Sequence, residues 1–322
     1  MWPKLYDLDG PEGNFDVNTY GLLIVLAFSA AFLLVHIRAL RIGLNPDRLV
    51  GAYVSSALGG LLGGRLGYAL TVDAARTFSD PFSLMSCSGF MLYGGILGGV
   101  IAVGLYAVAA KIDVWKLADL AGPAILIGIA VGRLGCFFAG CCHGAVAPLG
   151  SDPIGLLPES FPGQMWLSDR FPFLTLEFEQ GVGRLLDVPL YPTQLWHSFG
   201  CFVLVVLLWW LWDRRRFDGQ IAALTLMLEP PLRMFTEAFR ADQRGYVVSW
   251  TVTPKLAAKL PPGLTQAGEH LGGTVAGITT SQGIGVLMIL AGLALYAVRR
   301  RAGVSAEEPV AAGRGDLLDE LV

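Results

Sequence analysis

Hydrophobic positions in this chain fall into long, nearly unbroken stretches instead of alternating with polar ones. Seven such runs stand out, roughly at 19–37, 49–70, 91–110, 119–140, 192–212, 220–240 and 281–299. A helix needs about 20 apolar residues to cross a hydrocarbon core of about 30 Å. The runs therefore predict an all-α, polytopic membrane protein with about seven transmembrane helices.

What separates the runs is as informative. The stretch 144–190 is rich in Pro and Gly and carries Asp152, Glu159, Asp169, Glu177, Glu179 and Asp187. It is too polar to span and reads as an insert outside the membrane. A second polar stretch, 241–280, precedes the last run. Residues 302–322 are rich in Ala, Gly and acids and read as a disordered tail. Residues 1–301 are expected to form a single transmembrane domain.

Basic residues orient the bundle. Arg38, Arg41 and Arg48 follow the first run, and Lys111 and Lys116 the third. Arg214, Arg215 and Arg216 follow the fifth, and Arg299, Arg300 and Arg301 the seventh. Every odd-numbered span thus exits into a basic segment, which the positive-inside rule makes cytoplasmic. The N-terminus is expected outside and the C-terminus inside.

Composition agrees. Of 322 residues, 54% are hydrophobic and 15% charged, with mean hydropathy +0.57; soluble domains have about 25% charged residues. The net charge of −3 adds little, because its distribution matters more than its sum. Residues 1–18 hold one Lys and four acids, which is not the pattern of a removable signal peptide. Nothing points to nucleic acid.

Against this background, three arginines lie inside apolar runs: Arg65, Arg133 and Arg233. Two occupy near-identical words, Gly64-Arg65-Leu66-Gly67 and Gly132-Arg133-Leu134-Gly135. An arginine at a span centre costs about 2.5–3.5 kcal/mol on insertion scales. Three approach the ~5–15 kcal/mol that holds a domain folded, so a compensating anion is expected. For Arg233 the anion could be internal, since Glu229 and Glu237 lie four residues away on the same helix face. For Arg65 and Arg133 a partner must come from elsewhere.

The predicted orientation gathers the unusual polar residues at one depth, near the outer leaflet's headgroups. Tyr20, Arg65, Tyr68, Tyr93, Arg133, Cys136, His143, Tyr191, Gln194, His197, Arg233, Glu237, Arg240, Ser281 and Gln282 all fall there. A guanidinium fork binds phosphate through two hydrogen bonds and keeps its charge. The pattern fits a phospholipid headgroup entering from the side. Pro230-Pro231 predicts a kink that opens a polar cavity beside Arg233. Gly59-Gly60, Gly63-Gly64, Gly94-Gly95 and Gly98-Gly99 form small-residue faces suited to close helix packing.

The cysteines, Cys87, Cys136, Cys141, Cys142 and Cys201, are odd in number and do not form a disulfide framework. Adjacent Cys141 and Cys142 with no second Cys/His pair argue against zinc. Packing thiols, a disulfide, or a Cys142–histidine nucleophile stay open. His143 and His197 are candidate bases. No metal or cofactor is expected.

Taken in order, six words resemble the bacterial prolipoprotein diacylglyceryl transferase family: Gly63-Gly64-Arg65-Leu66-Gly67-Tyr68, Tyr93-Gly94-Gly95-Ile96-Leu97-Gly98, Gly132-Arg133-Leu134-Gly135-Cys136-Phe137-Phe138-Ala139-Gly140, Tyr191-Pro192-Thr193-Gln194-Leu195, Arg233-Met234-Phe235-Thr236-Glu237-Ala238-Phe239-Arg240, and Ser281-Gln282-Gly283. The resemblance implies transfer of diacylglycerol from phosphatidylglycerol to the lipobox cysteine of a prolipoprotein signal peptide, in the bacterial inner membrane with the site facing the periplasm. It makes Arg133, Arg233, His143 and Tyr93 the catalytic candidates. Tyr20, Arg65, Cys136, Gly144, Gln194, Glu237 and Arg240 become the substrate-binding ones. Four positions depart from the family's usual words. Tyr93 stands where it has histidine, and Cys136, Ala139 and Cys141 stand where it has an asparagine and then Asn-Gly-Glu. His143 is then the expected substitute base. The alternatives are a transferase of the same fold with a different acceptor, a non-catalytic binder or transporter of anionic lipid, and a thiol-redox membrane protein.

Overall fold

The computed structural model describes residues 4–10, 13–71, 91–139, 142, 144–145, 191–240, 246–253, 256, 260, 264–268 and 273–302. Seven long helices appear among them: α1 (Thr19–Arg41), α2 (Pro46–Thr71), α3 (Leu92–Ala109), α4 (Val114–Phe138), α5 (Thr193–Trp212), α6 (Gln220–Glu237) and α7 (Thr280–Arg301). Each coincides with one of the seven apolar runs. By length and composition five of them, α1, α2, α4, α5 and α7, suffice to cross a membrane, and α3 is a shorter apolar helix. α6 is the outlier, because Glu229, Arg233, Glu237 and two prolines interrupt its apolar character. Large apolar side chains such as Leu62, Val108, Phe199 and Leu287 lie fully on the surface, where lipid instead of water suits them.

The polar segments add strands that the apolar pattern did not reveal. β1 (Lys4–Gly10) and β2 (Gly13–Asn18) form an antiparallel hairpin leading into α1. β3 (Tyr246–Val252), β4 (Thr265–Gly268) and β5 (Gly273–Thr279) form an antiparallel sheet with β5 in the middle. β5 runs directly into α7.

Short turns follow α1, α3 and α5, and long polar connections follow α2, α4 and α6. Each short turn needs one residue in the left-handed region: Gly43 (φ 69°), Lys111 (φ 54°) and Gly219 (φ 94°). Asp113 Oδ1 accepts the N–H groups of Trp115 (2.7 Å) and Lys116 (3.3 Å), capping α4.

The described chain divides into two compact units, with boundaries inside α1 at Ala31/Phe32 and inside α4 at Ala121/Gly122. One unit comprises the described residues of 32–121 and 216–219. Its core is the α2–α3 pair, which meets glycine to glycine. A Cβ on Gly63 would strike the Gly94 carbonyl and stand 2.8 Å from Gly98 Cα. A Cβ on Gly59 would lie 2.6 Å from Gly98 O. The expected small-residue faces thus bring the two backbones into contact. Phe32 adds an edge-on contact with Tyr53 (5.0 Å) and stacks on His36 (5.6 Å). This unit also buries charge, in Arg38, Asp119 and Asp218. Asp119 Oδ2 accepts the Gly219 N–H at 2.9 Å, fixing that turn.

The other unit contains 1–31, 122–215 and 220–303. α6 packs against α7, where Gly292 would place a Cβ 2.8 Å from Met227 Cγ and 2.9 Å from Ala223 O. α6 also packs against α5, where Gly200 faces Leu232. α6 continues as one helix through Pro230 and Pro231. The missing N–H groups leave the carbonyls of Leu226 and Met227 without helical donors.

Candidate active site

The second unit brings most of the predicted site residues to one end of its helices. Arg133 and Cys136 come from the last turns of α4, Gln194 and His197 from the first turns of α5. Arg233 and Glu237 come from the last turns of α6, with Arg240 just beyond it, and Ser281 and Gln282 open α7. Charge rules about capping do not explain this grouping, since no helix here has an acidic first turn near the site. It arises because the four words lie at the same ends of alternating helices.

Backbone pairing locks the end together. Gly144 and Arg240 form an antiparallel bridge. The Gly144 N–H donates to Tyr191 O (3.1 Å), the Ala145 N–H to Phe239 O (2.8 Å) and the Tyr191 N–H to Ala145 O (3.1 Å). Any Cβ on Gly144 would collide with the Tyr191 carbonyl and lie 3.0 Å from Phe239 O. Gly144 is thus a close-approach glycine beneath the site, and the chain before and after the insert is pinned to the end of α6. Tyr191 packs edge-on against Phe239 (5.3 Å), as does Trp196 (5.6 Å), and the two also meet each other (5.9 Å).

Arg133 is half-buried and lies within electrostatic reach of Arg240, Arg233, Cys136 and Cys142. Among the described residues it makes no hydrogen bond and no ion pair. Two positions beyond it, Gly135 lets the Tyr20 ring lie against α4, with Tyr20 Cδ2 3.2 Å from where a Cβ would be. Ser198 Oγ donates to Ala130 O at 2.8 Å, tying α5 to α4 three residues before Arg133.

Arg233 does not use the acids on its own helix. Its Nε–H donates to Ser281 Oγ at 3.1 Å. Glu229 instead faces α5, with Oε1 3.6 Å from His197 Nε2, and both are buried. Glu237 faces α7 and accepts from Thr279 Oγ1 at 3.4 Å. Thr279 is also the N-cap of α7: its hydroxyl accepts the Gln282 N–H (3.2 Å) while Gln282 Oε1 accepts the Thr279 N–H (3.1 Å). The capping box holds Ser281 in place under Arg233. Helical spacing leaves Glu229 and Glu237 open as partners of Arg233, and in the structure both turn to residues outside their own helix.

The remaining candidates fall elsewhere. Arg65 lies on α2, in the unit built on α2 and α3, where Gly64 O accepts the Met91 N–H at 2.9 Å. Tyr93 is in the first turn of α3, its side chain outside the described residues. His143 and Cys141 also lie outside them, as does 146–190. Cys136, Cys142 and Cys201 are thiols, not disulfides. No group of three metal-binding side chains occurs among the described residues. The His197–Glu229 pair carries no word-level signal. Only the chemistry of a histidine inside an apolar run points to it.

Chemically, this end offers three guanidinium groups and two carboxylates, with Gln194 and Ser281 buried on α5 and α7 and Tyr20 exposed on α1. Such a cluster holds a phosphate-bearing group and stabilises charge that grows on it.

The family of prolipoprotein diacylglyceryl transferases matches this chain over residues 11–298. A phosphatidylglycerol–prolipoprotein diacylglyceryl transferase of Clostridium tetani is 32% identical over 77% of this chain and 88% of its own length. One from Chromohalobacter salexigens is 31% identical over 73% of this chain and 80% of its own. One from Pseudoalteromonas atlantica is 27% identical over 93% and 91%.

Proposed function

The chain belongs to the prolipoprotein diacylglyceryl transferase family and is a multi-pass membrane transferase, and from that premise we propose that it transfers the diacylglyceryl group of phosphatidylglycerol to the lipobox cysteine of prolipoproteins. The relatives' names give the donor and the acceptor class. The single observation that carries the reading to this chain's own residues is the convergence of Arg133, Arg233 and Arg240, with Arg133 lacking any acidic partner among the described residues.

In the proposed reaction the acceptor sulfur, as thiolate, attacks the glycerol carbon bonded to the phosphate oxygen. A carbon–sulfur bond forms and the carbon–oxygen bond breaks. The bonding electrons leave on the phosphate, which departs as glycerol phosphate. Charge on the phosphate rises by one during the step, and Arg133 and Arg233 stabilise that rise. Arg240 borders them, Tyr20 and Gln194 hydrogen-bond the headgroup, and Glu237 and Gly144 shape the pocket with Cys136 beside Arg133. Arg65 and Tyr93, on the other unit, are candidates for further lipid contacts. His143 is the sequence's candidate for the base.

The seven helices are proposed to span the bacterial inner membrane as one domain, N-terminus outside, with the site on the periplasmic side and 302–322 in the cytoplasm. The four basic segments support that orientation. The altered residues Tyr93, Cys136, Ala139 and Cys141 support a second reading, the same donor with a different acceptor.

The test is turnover of the full chain in detergent with phosphatidylglycerol and a lipobox peptide, read by mass spectrometry. A diacylglyceryl gain on the peptide cysteine with release of glycerol phosphate is expected. Lipid consumption without peptide modification supports the second reading, and no lipid turnover at all refutes both.

A further inference from the structure

We propose that the buried His197–Glu229 pair receives the proton of the acceptor thiol, and that its change of charge matches the change on the departing phosphate. The inference rests on the transferase reading above and deepens it by assigning the proton.

Geometry motivates it. His197 is 1% exposed and sits on α5 facing α6, with Nε2 3.6 Å from Glu229 Oε1. That separation is too long for a hydrogen bond, and Nε2 makes none among the described residues. A neutral imidazole this loosely held gains a contact when it takes a proton and becomes an ion-pair partner of the carboxylate. The charged groups around the pair are Arg133 on α4 and Arg233 on α6, and Cys201 lies on its own helix. Ser198, the next residue, is anchored to Ala130 O, which ties this turn of α5 to α4 three residues before Arg133.

Charge counting sharpens the assignment. Arg133, Arg233 and Arg240 against Glu229 and Glu237, counted at their formal charges, leave one net positive charge. A phosphodiester headgroup carries one negative charge, so the substrate is matched with His197 neutral. In the transfer, S–H breaks, the proton goes to the imidazole and sulfur bonds to carbon. The carbon–oxygen bond breaks and the phosphate becomes a dianion. The site has gained one positive charge as the phosphate gained one negative. A base lying outside the arginine cluster would take up the proton without that match. The proton later leaves with the glycerol phosphate or to water. This also accounts for a member of the family that has Tyr93, a phenol in place of an imidazole, at the start of α3.

The experiment is a kinetic comparison of the native full chain with H197Q, E229Q and H143A in detergent, using phosphatidylglycerol and a lipobox peptide across about pH 5.5–9.5. H197Q is expected to lower kcat about 100-fold or more at neutral pH, with KM for the lipid nearly unchanged. Its rate then recovers steeply as the free peptide thiol ionises near pH ~8.5. E229Q lowers kcat without raising KM for the lipid, and H143A is expected to lack the recovery at high pH that marks H197Q. A H197Q deficit equal at all pH values, or expressed in KM, makes His197 merely structural and overturns the proposal. So does native-like H197Q, or the pH-rescued deficit appearing in H143A instead. If the native protein transfers nothing, the transferase reading fails first and this inference falls with it. Thermal unfolding of H197Q and E229Q near the native temperature shows that the kinetics report a folded protein.

Discussion

Arg233 reaches from α6 to α7 and donates its Nε–H to Ser281 Oγ at 3.1 Å, passing over both glutamates on its own helix. The hydroxyl orients one edge of the guanidinium and leaves its terminal nitrogens for an anion. Arg233→Lys keeps the charge but loses the fork. It is expected to lower kcat about 100-fold or more, whereas Ser281→Ala, removing one hydrogen bond worth about 1 kcal/mol, lowers it about tenfold or less. Turnover of the two purified variants measures the ratio.

Arg133 has charge and no partner of its own among the described residues, so its loss should be felt in the lipid. Arg133→Gln is expected to abolish measurable turnover and weaken phosphatidylglycerol binding, with thermal stability unchanged or slightly raised because a costly buried cation is gone. A clear drop in stability would show that Arg133 is a structural pairing residue.

The α2–α3 contact has no room for side chains. Gly63→Val and Gly98→Val each drive a branched side chain into the opposing backbone, and overpacking of this kind costs about 1–3 kcal/mol. Lower unfolding temperatures in detergent are expected for both. The neighbouring Gly60→Ala, whose Cβ would meet only Gly95 O at 3.5 Å, should be tolerated.

Much of this arrangement is legible in the sequence, and the reason is the membrane. Each of the seven helices coincides with an apolar run, because backbone groups in hydrocarbon must be satisfied within the helix. Gly59, Gly63, Gly94 and Gly98 announce their packing by four-residue spacing. The sheet formed by β3, β4 and β5 is not legible that way. Most of β3, including Val247, Val248, Ser249 and Trp250, is exposed on both faces, so it shows no two-residue alternation. The site is legible only in part. Helix periodicity puts Glu229 and Glu237 within reach of Arg233, yet a side chain on a packed helix chooses among neighbours on other helices too. His197 and Thr279 are separated from those glutamates by dozens of residues, and no spacing rule reaches them.

Thr279 carries two duties, capping α7 and donating to Glu237. Thr279→Ala is expected to cost about 1–2 kcal/mol through loss of the cap and to reduce turnover by releasing Ser281. Thr279→Ser, which keeps the hydroxyl, should restore both. Unfolding temperature and kcat, measured together, check the coupling.

The three described thiols differ in accessibility. Cys136 and Cys142 are partly exposed and Cys201 is fully buried. Maleimide treatment of the folded protein, followed by peptide mapping, should label Cys136 and Cys142 and spare Cys201 until denaturation. Failure of both to label without prior reduction would favour the thiol-redox reading.

The hydrogen bond from the Tyr191 N–H to Ala145 O brings together two residues that bracket the long polar insert. With Gly144 and Phe239 completing the pairing, the chain enters and leaves that segment through one clasp, anchored to the helix that carries Arg233. The clasp is made wholly of backbone groups, so it asks for no particular side chain at 145 or 191. Substitution at those two positions can therefore drift while Gln194 and Arg240, the neighbours of the paired residues, keep their places.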